Sequence, residues 1–346
     1  MTHNTPLSPR TLHGLSGGGR PRVMTTAQLR SHGVSTTETN EQCRAGGPWQ
    51  QLLPGVVLLH PGPQTSEERL HAVLMYAARE RGTGVPAQPG AGRPPAPAYP
   101  EVMITGLAAL TLHGFSSTPP LPSLDVIDVL VPRLRRLRST GCVRIVRTPV
   151  MPAPEQVTGV PVAPVARALA DAVAALSDAG VVRRLLTEAV RAGHCDPTAV
   201  VRELNQARLL SRPHVVDAVE SLLAEGRARA EDRLYRMVHE YGLPAPVWNV
   251  DLRLPGGPYL GGLDAYWPDQ AVAVELDTRA PRQDDDALWS EYARKREHLE
   301  RLGITVVHIT PRKLRDSPEQ QATVIRTALM ASADREPAAY VAVLPR

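Results

Sequence analysis

Aromatic side chains are scarce: Phe, Trp and Tyr make up 4% of 346 residues, and Phe115 is the single phenylalanine. Any core must therefore be built from Leu, Val and Ala. Cysteine is also sparse. Cys43, Cys142 and Cys195 are scattered and odd in number, which excludes a disulfide framework and zinc-type spacing, so reduced thiols are expected. No apolar run reaches the ~18 residues that a membrane span needs. The stretch 1–22 is polar and rich in Gly, Ser and Pro, with no apolar segment of the kind that marks a signal peptide. A cytoplasmic location with no membrane partner is the expectation. Chemistry-bearing patterns are thin as well, with no Ser/His/Asp set and no phosphate-cradling loop. Gly17, Gly18 and Gly19 lie in a polar tail with no strand before them. His113, His239, His298 and His308 have no partner at ligand spacing, so each reads as structural or solvated.

What is present is an ordinary balance of 42% hydrophobic and 21% charged residues with a net charge of +4. That surplus permits a nucleic-acid partner without demanding one. The length suits two or three domains. Residues 1–21 read as a disordered tail. Thr26 is placed to cap a short helix over 27–32. Ser35 followed by Glu38 forms a capping box, opening a helix over 36–45. Two short apolar runs around Pro54-Gly55 then give a hairpin signal. Helix, turn, helix and hairpin in this order outline a winged helix-turn-helix over 22–82. Thr65 and Glu68 supply another capping box, for a helix carrying Leu70, Val73, Leu74 and Ala77 on one face.

Gly, Pro and Ala dominate 83–100, a composition expected to form a flexible linker. Beyond it, 101–226 reads as a mixed α/β and helical region. Its expected elements are a helix over 106–113, strands over 126–131 and 143–147, and helices over 165–176, 181–191, 197–209 and 214–224. Arg133, Arg135, Arg136, Arg138, Arg144 and Arg147 crowd a stretch without a single acid, a pattern suited to a nucleic-acid backbone or to a solvated loop. No aromatic residue is interleaved with them, so no stacking platform for single strands is expected.

The last module, 227–335, is expected to run helix (230–241), three strands (247–254, 263–266, 271–276), helix (286–302), strand (304–310) and a final helix from Ser317-Pro318, with 336–346 as a tail. Along Ala271–Asp277 the residues alternate, so Val272, Val274 and Leu276 face one way and Ala271, Ala273, Glu275 and Asp277 the other. If the strand holding Asp264 pairs with this one as a hairpin, Asp264 falls close to Glu275. Like charges at that range need a cation or a proton between them. Carboxylate oxygens completed by water are what Mg²⁺ prefers, so Asp264 and Glu275 are the expected metal ligands.

Two family resemblances follow from these residues. The module containing Glu231-Asp232-Arg233-Leu234, Gly242 to Pro246, Leu263-Asp264, Trp267-Pro268, Val272 to Asp277 and Leu299 to Thr310 resembles the very-short-patch-repair-like branch of the PD-(D/E)xK endonuclease superfamily. The resemblance implies a restriction-endonuclease-like α/β/α module, with Asp264, Glu275, Asp277 and Glu231 as catalytic residues and Mg²⁺ as cofactor if the site is active. The chain departs from that pattern where it matters. Asp277 stands where the superfamily commonly has Lys, no Asp-Gly-His follows, and Tyr292 and Lys295 occupy the Asp and second Arg positions of the usual Arg-Asp-x-x-Arg helix. Each missing preorganised group typically costs ~10²–10³ in rate, so a degenerate site is expected.

Met24 to Arg30, Gly33-Val34-Ser35, Trp49 to Leu52 and Pro54-Gly55-Val56, with Ile104 to Leu110, Leu112-His113-Gly114 and Arg167 to Ala172, resemble AbiEi-type antitoxins of type IV toxin–antitoxin systems. That resemblance implies a multidomain α+β DNA-binding transcriptional regulator, needing no cofactor, with double-stranded DNA as partner and a cognate nucleotidyltransferase-like toxin gene nearby. The expected DNA-binding residues are Arg30, Asn40, Gln42, Arg44, Gln50 and Gln51, with Arg20 and Arg22 as further phosphate contacts. Glu38 and Glu41 on the same helix would repel phosphates if they faced the groove. A Mg²⁺-dependent DNA endonuclease targeted by its winged helix is the alternative.

Overall fold

The computed structural model describes residues 22–79, 99, 101–278, 294–332 and 341–345. The expected tail at 1–21 lies outside the described residues, as does nearly all of the expected linker. The chain is mixed α+β and divides into two compact units, Met1–Leu176 and Ser177–Arg346.

The first unit opens with β1 (Val23–Thr25), α1 (Thr26–Ser31), α2 (Thr36–Gln42), β2 (Gln50–Leu53), β3 (Val56–Leu58) and α3 (Ser66–Ala78). The sheet order is β1-β3-β2, with both pairings antiparallel. Local chemistry sets the helix starts. Ser35 with Glu38 and Thr65 with Glu68 form the two expected capping boxes. The first helix departs from expectation: Thr25 caps it, in a further box with Gln28. Met24, Leu29, Val34, Trp49 and Val57 close a small core beneath these helices.

The same unit continues with β4 (Met103–Thr105), α4 (Gly106–Leu112), β5 (Ile127–Pro132), β6 (Val143–Thr148), β7 (Glu155–Val157), β8 (Val160–Val162) and α5 (Val165–Ala175). Their sheet order is β6-β5-β4-β8-β7, with β5 parallel to β6 and antiparallel to β4. Two buried acids are tied down inside this region. Asp128 takes both forks of Arg144, at 2.5 and 2.6 Å. Asp171 takes Arg167 and the Thr105 hydroxyl, the latter at 2.6 Å. Arg144 thus leaves the arginine cluster to serve the core. Arg135 and Arg147 are likewise spent on backbone carbonyls, among them Arg79 and Leu137. Arg133, Arg136 and Arg138 remain exposed.

The second unit holds α6 (Ala179–Arg191), α7 (Pro197–Gln206), α8 (Pro213–Glu240), β9 (Val247–Arg253), β10 (Tyr259–Trp267), β11 (Val272–Leu276), a helix over 294–301 (α9), β12 (Thr305–Ile309), α10 (Pro311–Asp316), α11 (Pro318–Ser332) and β13 (Ala342–Pro345). Where two helices were expected, over 214–224 and 230–241, α8 is one helix of 28 residues, continuous through 226/227. Gly226 does not break it, because that buried glycine packs against Pro197 at the start of α7. The sheet order is β12-β11-β10-β9-β13, antiparallel except for the β11–β12 pair. Residues 342–345, expected as tail, form its edge strand on β9.

Alternation along β11 divides the core. Val272, Val274 and Leu276 pack with Leu234, Met237 and Ile325 from α8 and α11. Ala271 and Ala273 pack with Leu252, Leu299 and Ile304 on the opposite face. No described helix is long and apolar enough to cross a membrane.

Candidate functional site

The β10–β11 hairpin sets Ala265 opposite Val274, and the same register carries Asp264 to Glu275 one step further along. Both acids are nearly closed off from water, at 4% and 8% exposure. Glu275 lies on the face of Ala273, whose small side chain leaves room beside it. From α8, Arg227 reaches both Asp264 and Glu231. Its Nη2 donates to Asp264 Oδ1 at 2.6 Å and its Nε to Glu231 Oε1 at 2.8 Å. The second Asp264 oxygen accepts the Leu276 amide at 2.6 Å. Spacing i, i+4 on one helix makes the Arg227–Glu231 contact possible.

Burial raises the proton affinity of Asp264. The Leu276 amide and Arg227 oppose the rise, and Glu231 and Glu275 add to it. His308, opposite Glu275 in the parallel β11–β12 register, is shifted the other way: burial lowers its pKa, against the pull of Glu275 at 3.9 Å.

The cation that serves Glu275 was not among the residues expected at the site. Lys295, on α9, places Nζ 2.9 Å from Glu275 Oε1 and 2.9 Å from the Gly262 carbonyl oxygen. Its stem crosses β10 at a β-bulge, where Gly261 has φ +134° and a Cβ would collide with the lysine methylenes. A signal was there to be read, since Lys295 and Lys313 are the only lysines among 39 basic residues. In such a chain a compact ammonium in place of a guanidinium marks a particular geometric need.

The donor set tests the expected metal. Glu231, Asp264 and Glu275 supply the hard oxygens that Mg²⁺ prefers. Both Asp264 oxygens are occupied, however, and Arg227 and Lys295 hold positive charge beside the acids. Among the described residues no group of three or more His, Cys, Asp or Glu is arranged to hold a metal ion. As arranged, the cluster does not fit Mg²⁺ without displacement of Arg227 or Lys295, because fixed cations already relieve the repulsion that suggested a metal. Asp277 does not share their environment. β11 ends at Leu276, the Asp277 amide bonds to the Ile309 carbonyl oxygen, and the exposed residue lines a cavity with Thr278 and Arg312.

In the first unit Arg30, Asn40, Arg44 and Gln51 are exposed and Gln42 is half-buried. Gln50 is turned inward: its amide nitrogen donates to the His60 and Gly62 carbonyl oxygens at 3.0 and 2.6 Å, bracing the hairpin. Glu38 bends back to accept the Ser35 amide at 2.8 Å. No protein-family model matches the chain, and neither does any curated protein.

Proposed function

We propose that this chain is a DNA-binding transcriptional regulator of the AbiEi antitoxin type, with a winged helix-turn-helix in its first unit and a nuclease-like module in its second that does not cut DNA. The observation that carries the reading is a set of exposed polar side chains beside the β1-β3-β2 sheet, Arg30 on α1, Asn40 on α2 and Arg44 just after α2. Arginines there can neutralise phosphates while Asn40 reaches base edges. The turning of Glu38 toward the Ser35 amide removes one obstacle to such docking. The ion-paired state of Asp264, Glu231 and Glu275 supports the non-cutting part.

A mobility-shift assay with duplex DNA from upstream of its own coding sequence tests the reading. Retardation at low salt that is lost in an Arg30→Ala/Asn40→Ala/Arg44→Ala variant is expected. Unchanged retardation by the variant would refute it.

One observation favours a second reading, a Mg²⁺-dependent DNA endonuclease. Lys295 puts an ammonium on Glu275, a group the local sequence after Glu275 lacks. Plasmid nicking with Mg²⁺ or Mn²⁺ that disappears in Asp264→Ala/Glu275→Ala would establish that alternative.

A further inference from the structure

Between Asp128 and Glu155 the chain carries six arginines and no acid, and the Asp128 carboxylate is already taken by Arg144. Exposure alternates along the segment that joins β5 to β6: Arg135 and Leu137 turn inward, while Leu134, Arg136 and Arg138 turn outward. The inward arginine is a fastener. Arg135 Nη1 donates to the Ala77 and Arg79 carbonyl oxygens at 3.3 and 3.2 Å, where α3 ends and its carbonyls lack helical partners. Arg147 holds the same segment from β6 through the carbonyl oxygens of Arg135 and Leu137. The Tyr76 hydroxyl, on α3, donates to the Arg138 carbonyl oxygen at 2.7 Å. With three of its carbonyls pinned, the loop presents its outward arginines with little further ordering needed on binding.

The pins lead toward Arg30. Arg79 lies over the Tyr76 ring at 4.1 Å, and its Nη1 donates to the Pro54 carbonyl oxygen at 2.9 Å, in the turn between β2 and β3. The adjoining Gly55 carbonyl oxygen accepts the Thr26 amide at 2.9 Å, and the Thr26 carbonyl oxygen accepts Arg30 Nε at 3.3 Å. Direct contacts therefore connect Arg138 to Arg30 through the end of α3 and the β2–β3 turn. Arg133, Arg136 and Arg138 are exposed and, among the described residues, form no ion pair with a carboxylate. Guanidinium forks match phosphate oxygens, and uncompensated positive charge draws in a polyanion. No aromatic side chain is interleaved with these arginines, so bases have nothing to stack on and a duplex backbone suits them better than a single strand.

We infer that Arg133, Arg136 and Arg138 form a second phosphate-contacting patch, which grips duplex DNA beside the stretch engaged by Arg30, Asn40 and Arg44. The inference rests on the DNA-binding reading for its partner and carries the contacts beyond residues 22–82. Phosphate contacts hold a protein on the duplex without reading its bases, so the loop adds affinity and not sequence preference.

The test measures anisotropy of two labelled duplexes of equal length, one from upstream of the coding sequence and one of shuffled sequence, across a salt series. The full chain is compared with Arg133→Gln/Arg136→Gln/Arg138→Gln, with the Lys counterpart of that variant, and with Arg30→Ala/Asn40→Ala/Arg44→Ala. The three loop side chains are exposed, so their variants should fold. The Gln variant should lower the slope of log affinity against log salt by ~0.9 for each contact removed, about 2–3 in all. The loss should be the same on both duplexes, and the Lys variant should restore the slope. Slopes changed by the Arg30 variant but not by the loop variant overturn this inference and leave the DNA-binding reading standing. Slopes changed by the loop variant alone keep the patch and overturn the assignment of Arg30, Asn40 and Arg44. A chain that binds neither duplex overturns both, and a loss confined to the upstream duplex makes the loop a reader of sequence and overturns the inference. Leu134, 91% exposed, sits among the arginines. Binding to phosphatidylserine vesicles that is lost in the Gln variant, with duplex slopes unchanged, would assign the patch to a membrane surface and likewise overturn it.

Discussion

Replacing Lys295 with Met removes the ammonium while keeping most of the stem that crosses Gly261. In the folded chain that ammonium sits 2.9 Å from Glu275, and the two side chains are 20% and 11% exposed. Breaking a fully buried pair from one side costs ~3–5 kcal/mol, because the remaining charge is left uncompensated. The residual exposure here brings the expected loss to about 2–3 kcal/mol. For a folding unit of this size that corresponds to a fall in melting midpoint of roughly 4–12 °C. Adding Glu275→Gln should recover much of the loss, with a coupling of about 1–2 kcal/mol in the double-mutant cycle. Scanning calorimetry of the full chain at pH 7 reads both quantities. A midpoint moved by less than about 1 °C in Lys295→Met, or a cycle with no coupling, would refute the argument that Lys295 is the counter-ion of Glu275.

Asp264 gives a test with a definite sign in pH. Its folded-state proton affinity is raised, so its contribution to stability is fully present below the unfolded-state pKa and is lost as pH rises through the folded value. Asp264→Asn turns an NH2 toward either the Leu276 amide or Arg227, so it should melt lower than wild type, and by more at pH 4 than at pH 7; a deficit that grows as pH rises contradicts the sign. Gly226→Ala sets a helix-propensity gain of ~1 kcal/mol against a Cβ that would stand 2.5 Å from Pro197 Cγ. Overpacking of ~1–3 kcal/mol should prevail, and a stabilised variant in urea unfolding would show that α7 yields freely. Arg30→Ala and Arg44→Ala should each lower the slope of log affinity against log salt by ~0.9 on duplex DNA, and unchanged slopes would remove these residues from the phosphate contacts.

Features that depend on a few neighbouring residues were legible in the sequence. Ser35 with Glu38, and Thr65 with Glu68, announce their helices because a capping box closes within one turn. Alternation along 271–276 divided the faces of β11, but the strand ends at Leu276 and Asp277 does not join Glu275; a hairpin sufficed to bring Asp264 toward Glu275. Distant pairings were not legible. Lys295 meets Glu275 across 20 residues of chain, through a bulge that no local pattern marks. β13 joins β9 from the far end of the chain, and β4, β7 and β8 are three-residue strands too short to show a period. The expected division at 226/227 failed because α8 runs unbroken through it, where Gly226, a residue of low helix propensity, is held by close packing on Pro197. Gln50 looked like a DNA contact until its hydrogen bonds to His60 and Gly62 turned it inward.

The most direct measurement takes one end-labelled duplex from upstream of the coding sequence, incubated with the chain and Mg²⁺ at low salt. The sample is then divided between a native and a denaturing gel. The account predicts a retarded band on the first and intact strands on the second. Strands cut by wild type but not by Asp264→Ala/Glu275→Ala, or a duplex that is never retarded, would contradict it.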